Sequence, residues 1–251
     1  MGPLSLAFLA VAVADFAVLV WALRLYRKYP STAQWLATVP LGLLWYDNFV
    51  IAIGGTLGEG QPLIALQVVR LLGHYIFLPF TFIALGSMAK QAGFKWAQPK
   101  FVIGAFCLLA TWFMLHDLWL FYNATLYPSC FADTLRYTTR IVEYTACGPD
   151  ARIGAGAPIP PIPAMTLSNM MILLGAYLWW KIGFKWLFLG SVGALVFFAI
   201  PYSKTGGIFS NVGEPIISAV LLLATAHITK RFGSDKIAAD TREVSSRPAP
   251  G

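Results

Sequence analysis

The feature that most constrains this chain is a series of long apolar runs. Several of them approach or exceed ~17 residues, the length needed to cross a hydrocarbon core ~30 Å thick. Only 12% of the 251 residues are charged and 58% are hydrophobic, whereas a soluble domain averages about 25% charged residues. Too little polar surface is available to cover a globule in water. We therefore expect an all-α integral membrane protein with one membrane domain over residues 1–236.

Seven of the apolar runs are interpreted as transmembrane helices. They lie at 4–23, 35–54, 62–87, 100–122, 165–181, 184–201 and 208–229. The fifth and sixth are short and are separated only by a lysine-containing turn. The N-terminus lacks the basic segment of a secretory signal peptide, so the first run is expected to remain as a helix.

The positively charged loops predict the orientation of these helices. Lys and Arg are concentrated after runs one, three, five and seven, whereas the alternate loop 55–61 has none and 202–207 has one. The positive-inside rule places the basic loops in the cytoplasm, so the N-terminus is expected outside. The net charge of +7 is explained by these loops, and no basic stripe suggests nucleic acid. The expected location is the plasma or inner membrane, or an equivalent eukaryotic membrane.

The long loop 123–164 lies outside in this topology. It contains Cys130 and Cys147, and an oxidising compartment permits a disulfide between them. Such a bond would stabilise the loop by roughly 3 kcal/mol through chain entropy. The proline-rich end of the loop is expected to be irregular, either as a cap over the bundle or as a passive connector. The polar tail 237–251 is expected to be disordered in the cytoplasm.

Ionisable side chains within the predicted helices are the main functional signal. Each costs at least ~2.5–3.5 kcal/mol in hydrocarbon, so it needs a partner or a function. Seven are found in five different runs: Asp15, Asp47, Arg70, His74, His116, Asp117 and Glu214. At 1.5 Å per residue, all seven lie between the outer surface and a level just past the midplane. The inner half contains only His227, near its end.

The spacing of these residues predicts that they face one another. Arg70 and His74 are four apart and share a helix face, and Asn211 and Glu214 are three apart and share another. Pro215 removes a backbone hydrogen bond one turn earlier. We therefore expect a polar cavity in the outer half of the bundle. Aromatic side chains are expected to ring it, namely Trp45, Tyr46, Trp112 and Trp119.

Acid–base catalysis on a lipid or isoprenoid-like substrate is the function that this set favours. Asp47, Glu214, His74 and Arg70 are the candidate catalytic residues, because a protonated and an ionised carboxyl group can act as acid and base. The candidate substrate-binding residues are Tyr46, Asn48, His116, Asn211, Trp45 and Trp112. A cyclase, isomerase or hydrolase would use such groups. The arrangement is similar, in architecture alone, to small seven-helix membrane terpene cyclases.

Three alternatives remain open. A lipid or small-molecule binding protein, receptor or transporter would need the same cavity. A metal-dependent enzyme could use His74, His116, Asp47 and Glu214 as ligands, although no cofactor is required by the sequence. The polar residues could also be structural, for example an ion pair between Arg70 and Asp47. The expected partners are membrane lipids and a lipid-like small molecule, not nucleic acid, and the oligomeric state is left open.

Overall fold

A computed structural model describes residues 1–154, 156–159 and 161–245, with side chains described to residue 233. The fold is mostly helical. In chain order the α-helices are α1 (Pro3–Lys28), α2 (Thr32–Thr38), α3 (Leu41–Leu57), α4 (Gln61–Phe77), α5 (Phe80–Gln91), α6 (Lys100–Tyr122), α7 (Ile162–Ile182), α8 (Trp186–Phe198), α9 (Tyr202–Thr205) and α10 (Ile208–Ser245). Two short strands, β1 (Tyr127–Phe131) and β2 (Thr134–Thr138), lie between α6 and α7.

Six helical segments of the described chain are long and apolar enough to span a membrane. They are Pro3–Lys28, Thr32–Leu57, Gln61–Gln91, Lys100–Tyr122, Ile162–Ile182 and Ile208–Gly233. These segments agree with six of the seven predicted runs. The remaining run, 184–201, contains α8, which has only 13 residues and is ~20 Å long at 1.5 Å per residue.

Prolines divide the second and third of these segments into two helices each. Pro40 separates α2 from α3, and Pro79 separates α4 from α5. Proline lacks an N–H group and its ring clashes with the carbonyl of the preceding turn, so the helix is interrupted there. The apolar runs alone predicted both segments as continuous helices.

The main apolar core lies in the half of the bundle that contains the basic loops. Its largest fully buried side chains include Phe82, Met88, Leu178 and Leu222. Hydrogen bonds join the helix ends at this face: Thr229 Oγ1 lies 3.0 Å from Ser31 Oγ. Thr229 also contacts Gln91 of α5, and Arg231 donates to the carbonyl of Ile182 in α7. The basic segments of α1, α5, α7 and α10 are therefore at one end of the bundle.

The last helix extends beyond the predicted tail boundary. α10 continues to Ser245, whereas the polar composition predicted disorder from 237 to 251. Residues 237–245 contain Ala, Arg and Glu, which favour helix. They continue a helix that is already formed, so no new nucleation step is needed. Residues 246–251 lie outside the described residues.

The opposite end of the bundle is covered by a β-hairpin, which the sequence analysis did not predict. β1 and β2 pair antiparallel, and the predicted disulfide between Cys130 and Cys147 is present. β2 lies directly on the end of α3, because a Cβ atom added at Gly54 would meet the carbonyl oxygen of Leu135 at 1.9 Å. The glycine thus permits backbone contact between helix and strand.

The hairpin also caps the first helix. The Asp133 carboxylate accepts hydrogen bonds from the backbone N–H groups of Leu4 at 3.1 Å and Ser5 at 2.9 Å. Free N–H groups and the positive end of the helix dipole favour a carboxylate at this position. Burial opposes the charge of Asp133, but the hydrogen bonds from Ser5 and Leu4 outweigh it and lower its pKa to about 2. The N-terminus and the hairpin are therefore on the same side of the bundle.

Candidate functional site

Eight polar side chains form one hydrogen-bonded network beneath the hairpin. They come from four helices, α1, α3, α4 and α10: Asp15, Asp47, Asn48, Gln67, Arg70, His74, Asn211 and Glu214. Five of the eight residues are at most 6% exposed. Six of these residues were among the predicted catalytic or substrate-binding set, and Asp15 was singled out as an ionisable residue.

Asp47 is held by three donors. Arg70 Nε forms a short ion pair with Asp47 Oδ1, and His74 Nε2 lies 3.1 Å from the same oxygen. Asn211 donates to Asp47 Oδ2 at 3.2 Å. The predicted pairing of α3 with α4 through Asp47 and Arg70 is thus formed. With a guanidinium in contact and both oxygens accepting, Asp47 is the ionised carboxylate of the network.

Asn48 connects the second part of the network. Its side-chain nitrogen donates to Asp15 Oδ2 at 2.9 Å and lies 3.5 Å from Glu214 Oε2. Its side-chain oxygen accepts from Asn211 at 2.8 Å. One amide therefore links carboxyl groups of α1 and α10 to the ion pair between α3 and α4.

The network contains three carboxyl groups and one arginine. Arg70 balances Asp47, which leaves Asp15 and Glu214 facing the neutral amide of Asn48. An unpaired carboxylate is costly in an apolar surrounding, and two such charges side by side repel each other. Charge balance therefore favours protons held on the carboxyl groups in this part of the network.

Helix geometry explains why these side chains meet. Gln67, Arg70 and His74 are spaced three and four residues apart and share one face of α4. Arg70 Nη1 donates to Gln67 Oε1 at 2.5 Å, which fixes the guanidinium beside Asp47. Gln67 was missed because it is not ionisable. Its spacing from Arg70 and His74 is the signal that could have identified it.

Two buried polar atoms in the network have no hydrogen-bond partner within the described chain. They are Asp15 Oδ1 and Gln67 Nε2. Asp15 Oδ1 is an acceptor when the carboxyl group is ionised, and Gln67 Nε2 is a donor. Buried polar groups are usually satisfied, so these atoms provide unused capacity to bind a proton or a polar group.

Two predicted residues of α3 are near the network but make other contacts. The Tyr46 hydroxyl donates to the Leu66 carbonyl at 3.2 Å, which ties α3 to α4. The Trp45 ring packs against Phe16 and Phe49. Both side chains flank the network without joining it in the described contacts.

His116 and Trp112 lie apart from the network on α6. His116 Nδ1 is 3.0 Å from Asp117 Oδ1, and its ring stacks on Trp112. Trp112 and Trp119 are 64% and 65% exposed. Neither ring makes a described contact with the network, and the expectation that these two tryptophans ring a polar cavity stays a prediction. α6 is apolar around most of its circumference, so its sequence did not indicate which face turns outward.

No group of three or more His, Cys, Asp or Glu side chains within the described residues is arranged to hold a metal ion. The alternative metal set requires His116, which lies on α6 and is paired with Asp117. Asp47 Oδ1 is already occupied by Arg70 and His74. The described geometry therefore gives the metal alternative no support.

No protein-family model matches the chain, and no curated protein matches it in sequence. The site is therefore interpreted from its own chemistry. It combines one ionised carboxylate, two carboxyl groups without a cationic partner and a histidine in one connected network. Such a network can donate, accept and relay protons.

Proposed function

We propose that the protein is an intramembrane acid–base enzyme acting on a lipid or isoprenoid-like substrate. One observation carries this proposal: Asn48 and Asn211 join the ion-paired Asp47 to the unpaired carboxyl groups of Asp15 and Glu214. A group held ionised and a group that carries a proton are the two requirements of general acid–base catalysis. Glu214 serves as the acid and Asp47 as the base.

Substrate access is proposed between α4 and α10. Arg70, His74 and Glu214 are the partly exposed members of the network on these helices. α4 packs on α3 and α6, whereas α10 packs on α1 and α8, so the two helices approach the network from different sides. A chain lying in the membrane can reach the network from this direction, with its polar end at His74.

We further propose that the chain crosses the membrane seven times with its N-terminus outside. Arg231 donates to the carbonyl of Ile182 at 3.0 Å, at the basic end of the bundle. Arg136 of the hairpin donates to the carbonyl of Gly206 at 2.9 Å, at the opposite end. α8 connects these two ends, which supports its role as the sixth crossing despite its length. The positive-inside rule then puts the hairpin outside.

Labelling in intact cells tests this topology. In a Cys107→Ser background, Ser203→Cys should react with a thiol reagent that does not cross membranes. Lys185→Cys should react only after the membrane is permeabilised. Reaction of both variants in intact cells would contradict the proposed path of α8.

The catalytic proposal is tested with isotopic water and the lipids that purify with the protein. Wild-type protein incubated with these lipids in D₂O or H₂¹⁸O should introduce deuterium or ¹⁸O into one lipid species, detected by mass spectrometry. Glu214→Gln and Asp47→Asn should abolish this labelling while remaining folded. Glu59→Gln, in the loop between α3 and α4, is the matched control and should label normally. Equal labelling by all variants would refute the proposal.

A proton-coupled transporter is the second candidate. The interruptions at Pro40 and Pro79 favour it, because discontinuous helices beside a buried binding site are frequent in transporters. Uptake or release of a lipid in proteoliposomes that follows an imposed pH gradient, without isotopic labelling of any lipid, would favour this function over catalysis.

A further inference from the structure

A second polar region lies at the basic end of the bundle, on the side opposite the acid–base network. It is a cleft of about 700 Å³ bounded by the end of α1, the start of α2 and the facing parts of α5, α6 and α10. This volume is within the range of small-molecule sites. Neither the acid–base chemistry nor the packing of the apolar core uses this space.

The charged side chains in the described lining of the cleft are basic. Lys28, Lys90 and Lys230 line it, and its described lining contains no Asp or Glu. These three lysines come from α1, α5 and α10, so the fold brings them together from distant parts of the sequence. A cleft with low-dielectric walls and charge of one sign concentrates ions of the opposite sign. Its ligand is therefore an anion.

Neutral hydrogen-bonding groups complete the lining. Ser87 and Gln91 contribute a hydroxyl and an amide from α5, one turn apart. Thr229 Oγ1 lies 3.0 Å from Ser31 Oγ and 3.3 Å from Gln91 Oε1. These contacts hold α2, α5 and α10 together around the cleft and orient the Gln91 side chain. Hydroxyl, amide and ammonium groups together are the usual donors to phosphate oxygens.

The position of the cleft adds to this chemistry. It lies where the basic loops are expected to meet the cytoplasmic leaflet, which is rich in anionic lipids. Ile103 of α6 forms an apolar part of its wall. Basic pockets between transmembrane helices on this side are typical sites for phosphate-bearing headgroups.

We propose that this cleft binds a phosphate group through Lys28 and Lys90. The phosphate is carried either by an anionic lipid headgroup or by a soluble phosphate compound. Both ligands present the same phosphate oxygens to the lysines. They differ in whether an attached acyl chain contributes to binding.

Binding measurements on the purified full chain in detergent test the proposal. Three probes are titrated by calorimetry: dihexanoyl phosphatidic acid, inorganic phosphate and dihexanoyl phosphatidylcholine. Phosphatidic acid should bind, and the zwitterionic lipid should bind at least tenfold more weakly. If inorganic phosphate binds at least as tightly as phosphatidic acid, the source is a soluble phosphate compound; if it binds more weakly, the source is a lipid.

Lysine variants locate the binding site. Lys28→Gln and Lys90→Gln should each weaken binding of the favoured probe about fivefold, since one lysine beside an anionic headgroup contributes about 1 kcal/mol. Lys95→Gln is the matched control, because Lys95 is exposed at the same end of the bundle and outside the cleft. It should bind as the wild type does.

These measurements distinguish specific binding in the cleft from general attraction of anions to the basic end of the bundle. Equal weakening by Lys95→Gln, equal binding of phosphatidylcholine, or no binding of either phosphate probe would each overturn the proposal. If Lys90→Gln lowers the thermal unfolding midpoint without ligand, Lys28→Gln decides, because the Lys28 side chain is exposed.

Discussion

Asn211 of α10 donates a hydrogen bond of 2.8 Å to the side-chain oxygen of Asn48 on α3. Both residues are buried, and the two helices have few other contacts with each other. This amide pair therefore joins the carboxyl groups on its two sides into one network. A neutral link of this kind lets protonation at Glu214 affect Asp47 without direct contact between their charges.

Replacement of Asn48 by Ala should destabilise the protein by about 1–2 kcal/mol, because Asp15 and Glu214 lose a buried donor. The thermal unfolding midpoint of the purified protein in detergent measures this loss. Asn123→Ala is the control, since the Asn123 amide bonds only the exposed carbonyl of Trp119 among the described contacts. An equal decrease in both variants would show that Asn48 is not a connecting residue.

Replacement of Arg70 alone should destabilise the protein more than replacement of both members of the ion pair. Arg70→Leu leaves Asp47 as an uncompensated buried charge and should cost about 3–5 kcal/mol. Arg70→Leu combined with Asp47→Leu removes both charges and should recover most of this loss. Unfolding midpoints of the single and double variants give the interaction energy. Additive effects would mean that the two charges do not stabilise each other.

The depth of the polar residues could be predicted from the sequence, but their contacts could be predicted only in part. The helical rise places Asp47, Arg70 and Glu214 at similar depths. Their meeting also depends on how each helix is rotated about its axis, which packing against neighbouring helices determines. The spacing of Arg70 and His74 on α4 predicted a common face, and in the structure both side chains contact Asp47. His116 lies on a helix without such a signal, and its described contacts are with Asp117 and Trp112 of the same helix.

The hairpin could not be predicted because its sequence lacks the usual turn signal. Phe131 pairs with Thr134 across a turn made by Ala132 and Asp133. Two-residue hairpin turns favour Asn-Gly or Asp-Gly, since positive φ angles are required. Ala132 adopts a φ of 50° without being glycine. Tertiary contacts with α3 and the disulfide to Cys147 stabilise a turn that local sequence preference would not select.

Asp133→Ala should lower stability by about 0.5–2 kcal/mol at neutral pH, because the N-terminus of α1 loses its cap. The pKa of Asp133 falls from 3.8 to about 2 on folding, so its ionised form stabilises the folded state. This contribution is fully present above pH 3.8 and is lost as the pH falls through about 2. The difference in unfolding midpoint between wild type and variant should therefore shrink in strong acid.

The control for this prediction is Asp150→Ala, since Asp150 is exposed in the same loop region. It should change the unfolding midpoint by an amount that corresponds to less than about 0.5 kcal/mol at any pH. A difference between wild type and Asp133→Ala that stays constant down to pH 2 would contradict a role for the Asp133 charge.

Loss of the disulfide should loosen the hairpin and the segment between α8 and α10 that contacts it. Cys130→Ser combined with Cys147→Ser should lower stability by roughly 3 kcal/mol, because the unfolded loop is no longer constrained. The hairpin carries Arg136, which donates to Tyr202 at 2.7 Å and to the carbonyl of Gly206. We therefore expect faster hydrogen exchange at residues 202–207 as well as in the hairpin. Cys107→Ser, which breaks no disulfide, should leave both measurements unchanged. Faster exchange confined to the hairpin would show that it does not hold α9 and the turn before α10.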